Sequence, residues 1–156
     1  MNFITKLLLL IFFNFIAFKV YTIDIPKDLI VKVLKESEKE DDIKSKNLDL
    51  ISVKYSGWIF DRNAPTNNYC DAKGKMFDSN IFDEFNHTQP FQFVLGKGIV
   101  IKGWDLGLQD MKINEQRFLV IPPHLAYGNR RIGDIINPNS TVIFEVELIE
   151  VLKIEK

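Results

Sequence analysis

Alternation of apolar and polar residues is the main pattern along this chain, and it predicts strands. In residues 141–154, every second residue from Val142 to Leu148 is apolar, as expected of a strand with one face in the core. Residues 90–95 repeat the alternation with Phe91, Phe93 and Leu95. Segments rich in β-branched and aromatic residues predict further strands at 29–35, 48–60, 76–78 and 116–121.

Only residues 101–110 have clear helical spacing. Ile101, Trp104 and Leu108 stand at i, i+3 and i+7 and therefore share one helix face. Two glycines within the segment lower its helix propensity, so packing against a sheet must supply the stability. About five strands, in runs rather than alternating with helices, and one short helix predict an α+β fold with an antiparallel sheet packed on a single helix.

Three segments have the composition of loops. Residues 61–75 combine Pro, Gly and Asn with little apolar content and predict a surface loop, and residues 125–138 predict another. Residues 32–46 carry charges of both signs, which favours a solvated loop over a binding tail. The glycines of residues 96–98 predict a hairpin turn rather than a phosphate-binding loop.

The N-terminal segment, residues 1–22, resembles a secretory signal peptide. Lys6 precedes an apolar stretch of the usual length, and Val20 and Thr22 are small enough for a signal-peptidase site. A buried helix or an uncleaved anchor are the alternatives, although the stretch is short for a stable membrane span. The mature chain is then one domain, residues 23–156, located in the endoplasmic reticulum lumen or secreted.

Two further features fit a secretory route. Asn86 and Asn139 each begin an N-glycosylation sequon. Cys70 is the only cysteine, so it cannot form an internal disulfide; it is either a harmless loop residue or the source of an intermolecular bond.

Composition narrows the chemistry. The chain has 156 residues, 46% of them hydrophobic, and a net charge of −1, so no global charge attracts it to nucleic acid. One cysteine and two histidines leave little for a metal site, His87 and His124 lie in predicted loops, and no cofactor-binding or nucleophile motif is present. The 13 phenylalanines form either an ordinary core or an aromatic pocket, and composition alone leaves both open.

Five motifs, in order, give the chain a close resemblance to a known family. They are VKYSG (53–57), GKMFDS (74–79), PFQFVLGKGIVIKGWDLGL (90–108), IPPHLAYG (121–128) and NSTVIFEVELIEV (139–151). The series resembles the FKBP-type peptidyl-prolyl isomerases, the immunophilins that bind tacrolimus and rapamycin. The resemblance covers roughly residues 29–154 and implies a curved antiparallel sheet around one short helix, with a proline-sized pocket between them.

The resemblance also implies a role for individual residues. Trp104 would form the floor of the pocket, the Ile101 N–H and the Tyr127 hydroxyl would each bind a substrate carbonyl, and Asp78 would supply a polar contact. Ile135 and Ile136 would lie in a flap over the site. The walls would be formed or shaped by Tyr55, Phe77, Phe91, Val100, Ile101 and Phe144.

The implied activity is cis-trans isomerisation of X-Pro bonds in polypeptide clients, by a monomer that needs no metal or cofactor and that macrolides of the tacrolimus and rapamycin type inhibit. The alternative is a non-catalytic chaperone or binding module on the same fold. The chain departs from the family pattern in a longer loop at residues 61–73, a longer segment at 80–89 without a clear basic partner for Asp78, and Ile132 in place of a polar flap residue.

Overall fold

The computed structural model of the chain describes residues 23–38 and 43–153, which form six β-strands and one α-helix. The signal-peptide prediction and part of the charged 32–46 segment lie outside these residues. The elements, in chain order, are β1 (Ile30–Lys35), β2 (Leu50–Phe60), β3 (Lys73–Ser79), β4 (Phe91–Val94), α1 (Lys102–Gly107), β5 (Gln116–Ile121) and β6 (Val142–Leu152). The predicted α+β class is confirmed, and each of the six segments predicted as strands corresponds to one strand.

All of the strands pair antiparallel in one sheet of order β1-β5-β6-β2-β3. Strand β4 pairs with residues 50–53 of β2, and β3 pairs with residues 56–60 on the same edge. Because β3 adds to β2, it extends over residues 73–79 rather than the predicted 76–78. Strand β2 thus pairs with β3 and β4, which precede the helix in the chain, and with β6, which follows it.

The main core lies between α1 and one face of the sheet. It includes Trp104 and Leu108 from the helical segment and the alternating residues of β6 that were predicted to face inward, together with Leu119 and Ile121 of β5. The helix lies so close to β5 that a Cβ at Gly103 would fall within 3.0 Å of the Ile121 side chain, and a Cβ at Gly107 would lie 2.9 Å from Leu119. The two glycines that weaken the helix therefore allow the packing that stabilises it.

The helix is shorter than its spacing predicts. It occupies Lys102–Gly107 instead of residues 101–110, with Ile101 at its N-cap. Arg117 on β5 donates from Nη1 to the carbonyls of Gly107 and Gln109, at 2.8 and 2.7 Å. These bonds satisfy carbonyls that a continuing helix would have used, so a tertiary contact ends the helix.

A second, smaller core covers the opposite face of the sheet. Phe60, Phe118 and Ile143 pack there against Ala64 and Ala72, which come from the segment predicted as a surface loop. Residues 61–72 form a largely exposed connection, as predicted, but Ala72 within it is fully buried and small enough to lie flat on the sheet. None of the helices within residues 23–38 and 43–153 has the length and hydropathy of a membrane span.

We expect Gly103→Ala to destabilise the fold although alanine is the better helix former. The added methyl group must displace Ile121, and overpacking of a core costs about 1–3 kcal/mol, against about 1 kcal/mol gained in propensity. The free energy of unfolding, measured in urea, should fall. Leu106→Ala, at a half-exposed position of the same helix, is the control with little expected loss. A Gly103→Ala chain as stable as the parent would contradict the packing described here.

Candidate functional site

A cavity of about 550 Å³ opens between α1, the sheet and the loops that connect them. The structure places eight of the ten predicted pocket residues in its lining: Tyr55, Asp78, Phe91, Val100, Ile101, Trp104, Tyr127 and Phe144. Five further residues that the sequence did not indicate also line it: Gly98, Ile99, Lys102, Ala126 and Arg130. Aromatic rings from five different segments thus meet at one cavity.

Trp104 is the buried centre of this aromatic group, with only 4% of its surface exposed. Its ring lies edge-to-face with Tyr55 and with Phe144, both at 5.1 Å between centroids, and packs on Phe93 at 5.7 Å. Edge-to-face pairs of this kind add about 0.5–1.5 kcal/mol each beyond the burial of their area. The indole is therefore held in one orientation at the base of the cavity.

Gly57 on β2 makes room for this arrangement. A Cβ at this position would lie 2.7 Å from the Phe144 ring and 2.8 Å from the Phe77 ring. Phe77 and Phe144 meet edge-to-face at 5.5 Å directly over the glycine. Gly57 is thus a place where two rings contact the backbone.

A chain of hydrogen bonds joins Tyr55, Asp78 and His87 at one side of the cavity. The Tyr55 hydroxyl donates to Asp78 Oδ2 at 2.6 Å, and His87 Nε2 lies 2.9 Å from Asp78 Oδ1. His87, expected to be an ordinary surface residue, is the basic partner of Asp78 that the sequence did not reveal. It was missed because it lies nine residues from Asp78, in the longer 80–89 segment.

Asn80 fixes both ends of that segment. Its side chain is 1% exposed and accepts a hydrogen bond from the Tyr55 N–H at 2.7 Å. Its amide donates to the carbonyls of Val53 and Gln89 at 3.0 and 3.1 Å. Buried polar groups in folded proteins are hydrogen-bonded, and all three of these bonds are formed here. The segment that carries His87 is therefore anchored to β2.

Asp105 holds the turn on the other side of the cavity. Its two carboxylate oxygens accept from the N–H groups of Gly96 and Gly98, at 2.8 and 2.9 Å. Both glycines have positive φ, 77° and 68°, which other residues adopt only at a cost. This clamp fixes the turn that leads into Val100 and Ile101, the residues that enter the cavity.

The donors at the cavity without an acceptor among residues 23–38 and 43–153 include the Tyr127 hydroxyl and the Ile101 N–H. Burial, reinforced by the charge of Asp78, raises the pKa of Tyr127, while the charge of Arg130 acts in the opposite direction. The phenol therefore keeps its proton at neutral pH. The two groups can donate to a molecule that enters the cavity.

Phe77 and Ile136 lie beside the main cavity and not in its lining. They line an adjoining cavity of about 240 Å³ that shares Asp78 and Tyr127 with the first. Ile136 is 3% exposed and pairs with Ile132 through two backbone hydrogen bonds, which form a narrow hairpin that also carries Ile135. The position of Ile136 is thus fixed by backbone pairing, which no residue pattern in this loop indicates.

The remaining candidates lie on the surface. Asn86 and Asn139 are exposed; Asn86 precedes His87, and the Asn139 N–H donates to the carbonyl of Gly128, next to Tyr127. Cys70 is partly buried, with its sulfur 3.7 Å from Lys32 Nζ. In the part of the chain that the structure describes, no three His, Cys, Asp or Glu side chains are close enough to hold a metal ion.

Comparison with known proteins gives a consistent result. The model of the family described as FKBP-type peptidyl-prolyl cis-trans isomerase matches residues 41–149. The FK506-binding protein 2 of Yarrowia lipolytica is 40% identical over 124 residues, which are 79% of this chain and 75% of that protein. The FK506-binding protein 1A of Neurospora crassa is 52% identical over 85 residues, 54% of this chain and 68% of that one. The FK506-binding protein 2B of Rhizopus delemar is 44% identical over 69% of this chain, and the matched region is 44% of the length of that relative.

The Tyr55 phenol should make stability depend on pH above its ordinary pKa of 10.0. Burial, together with the hydrogen bond to Asp78 and the charge of that residue, raises the pKa of Tyr55 in the folded chain. Above pH 10.0 the unfolded chain loses this proton and the folded chain keeps it, so the free energy of unfolding falls as pH rises. The slope from this one group is at most about 1.4 kcal/mol per pH unit.

Urea unfolding of the parent and of Tyr55→Phe, at about pH 9 and about pH 11, measures this contribution. We expect a smaller loss of stability with pH in Tyr55→Phe. Equal losses in the two chains would show that folding does not raise the pKa of Tyr55.

Proposed function

The chain belongs to the FKBP-type peptidyl-prolyl cis-trans isomerase family, and we propose that it catalyses rotation about X-Pro bonds of polypeptides in the cavity above Trp104. The observation that carries this proposal is the combination found there. An aromatic base and two hydrogen-bond donors, the Tyr127 hydroxyl and the Ile101 N–H, belong to the same cavity, and these donors have no acceptor in the described chain.

The physical problem is the barrier to rotation. Amide resonance gives the bond a barrier of about 18–20 kcal/mol, and uncatalysed exchange takes tens to hundreds of seconds. Exchange in the millisecond range needs about five decades of acceleration, or about 7 kcal/mol. Planar amide resonance separates charge, and the twisted bond loses that separation. An apolar cavity that excludes water therefore destabilises the planar form relative to the twisted one.

Each residue then has a defined role. Trp104 forms the surface on which the proline ring rests, and Tyr55, Phe91, Val100 and Phe144 form the walls. The Tyr127 hydroxyl and the Ile101 N–H hold carbonyls on the flanking peptide while the bond turns, which favours the transition state if those bonds are strongest there. Asp78 orients the Tyr55 hydroxyl. Phe77 supports Phe144 from the side, and Ile136 closes the adjoining cavity. No step requires a nucleophile, a metal or a cofactor.

The same cavity has room for a larger apolar ligand. The relatives named above are FK506-binding proteins, and the aromatic residues described here are suited to such a macrolide. We therefore expect tacrolimus and rapamycin to bind in competition with the peptide. A monomer is sufficient for this function because every residue in the proposed mechanism comes from one chain.

The location that we propose is the secretory pathway, either the endoplasmic reticulum lumen or the exterior of the cell. The support is the pattern of residues 1–22 and the contacts made by the residues that follow them. Ile23 is 7% exposed and packs in the second core, and the carbonyl of Asp24 accepts from the Tyr69 hydroxyl at 3.1 Å. Cleavage after Thr22 would leave all of these contacts in place.

Tyr127→Phe should lower kcat/KM for an X-Pro peptide by about tenfold, the value of one hydrogen bond made in the transition state. Exchange of a short X-Pro peptide is followed by NMR, with the domain from Ile23 and with or without tacrolimus. Tyr69→Phe is the matched control, because this tyrosine bonds Asp24 away from the cavity.

Acceleration that tacrolimus blocks, and that Tyr127→Phe reduces, supports the assignment of the cavity. Full turnover by a folded Tyr127→Phe chain would contradict the role given to its hydroxyl. A folded parent chain that accelerates no prolyl peptide would leave the alternative, a binding module that uses the same fold without catalysis.

Expression of the full chain in a eukaryotic secretory host tests the location. We expect mass spectrometry of the secreted protein to give Ile23 as its first residue, since signal peptidase cleaves after small residues. Endoglycosidase treatment should shift the mobility of the parent if Asn86 or Asn139 carries a glycan, and Asn86→Gln with Asn139→Gln is the control without a shift. Retention of residues 1–22 in the membrane fraction would indicate an anchor instead.

A further inference from the structure

The charged residues that line the main cavity carry more positive than negative charge. They are Asp78, Lys102 and Arg130. Both oxygens of Asp78 are occupied, one by the Tyr55 hydroxyl and the other by His87 Nε2. Lys102 and Arg130 are exposed, and neither has an acidic partner within the residues that the structure describes. The charge still available to a bound molecule is therefore positive.

The two cations accompany the two free donors. Lys102 follows Ile101 directly and begins α1. Arg130 lies beside Tyr127: its Nε is 3.5 Å from the Tyr127 carbonyl, and its charge is close enough to oppose the rise in the Tyr127 pKa. A peptide held by the Tyr127 hydroxyl and the Ile101 N–H would thus have a cation next to each anchor point.

We propose that Lys102 and Arg130, here called the cationic rim, select X-Pro segments that carry Asp or Glu within about two residues of the proline. Two residues of extended chain span about 7 Å, which is within reach of the long lysine and arginine side chains. Arg130 also presents a planar fork of donors that matches a carboxylate. This inference rests on the proposed isomerase function and adds a substrate class to it.

The size of the preference follows from the exposure of the rim. Ion pairs in contact with solvent change binding by about two- to fivefold. Salt screens them, with a Debye length of about 8 Å at physiological ionic strength and about 3 Å at 1 M. The preference should therefore be modest, present at low salt and lost at high salt, unlike the contribution of the apolar floor.

The test compares peptides with uncharged, blocked termini that differ only in Gln or Glu. One pair carries the variable residue before the proline and a second pair carries it after the proline. NMR exchange gives kcat/KM for each peptide. We expect the Glu peptide to exceed the Gln peptide by about two- to fivefold in at least one pair at low salt, with a ratio near one at high salt.

Variants assign the effect to the rim. Arg130→Gln and Lys102→Gln should each lower the Glu-to-Gln ratio, and Arg130→Glu should lower it further, because the substituted carboxylate repels the Glu peptide. Arg131→Gln and Lys97→Gln are the matched controls, because these neighbouring cations do not line the cavity and should leave the ratio at its parent value.

Three outcomes would overturn the inference. A ratio of one or below in both peptide pairs, with the Gln peptides turned over, would refute the acidic preference and leave the isomerase function intact. A preference that persists when both rim residues are replaced would place its cause elsewhere. Turnover of no peptide at all would remove the proposed function, and this inference with it.

Discussion

The packing of Trp104 against the sheet is the contact on which the other features depend. Helix α1 has six residues, too few to be stable alone, and its aromatic and aliphatic face supplies the stability that its length does not. The indole N–H is buried without a partner within the described residues, at a cost of about 1–3 kcal/mol. Edge-to-face contacts with Tyr55 and Phe144 offset this cost and leave the flat face of the site apolar.

A few polar side chains convert this rigid base into a defined cavity. Asn80 fastens the 80–89 segment to β2, and Asp105 fastens the turn before Ile101. Each uses a carboxylate or amide to satisfy backbone groups that a loop would otherwise expose to water. The rim of the cavity is consequently built from loops, which tolerate changes in length, while its floor is built from helix and sheet, which do not.

The sequence predicted most of the fold because the strands have recognisable residue patterns. The alternation in β6 indicated the residues that face the main core, and this was confirmed, whereas the burial of Ile143 on the opposite face was not indicated. The end of α1 was misjudged because it depends on Arg117, ten residues from Gly107, which donates a hydrogen bond to the Gly107 carbonyl. The burial of Ala72 was missed since alanine in a polar loop carries no periodic signal. His87 was missed because only the path of the loop brings it to Asp78.

The sequence by itself determined the class of fold, the inward-facing residues of β6 and, through its ordered motifs, the family. These properties are local, since they depend on the spacing of residues along one segment. Only the tertiary structure decided that Phe77 and Ile136 lie beside the cavity and that Lys102 and Arg130 stand at its rim. Such contacts join segments far apart in the chain, and their distances are set by how helix, sheet and loops pack together.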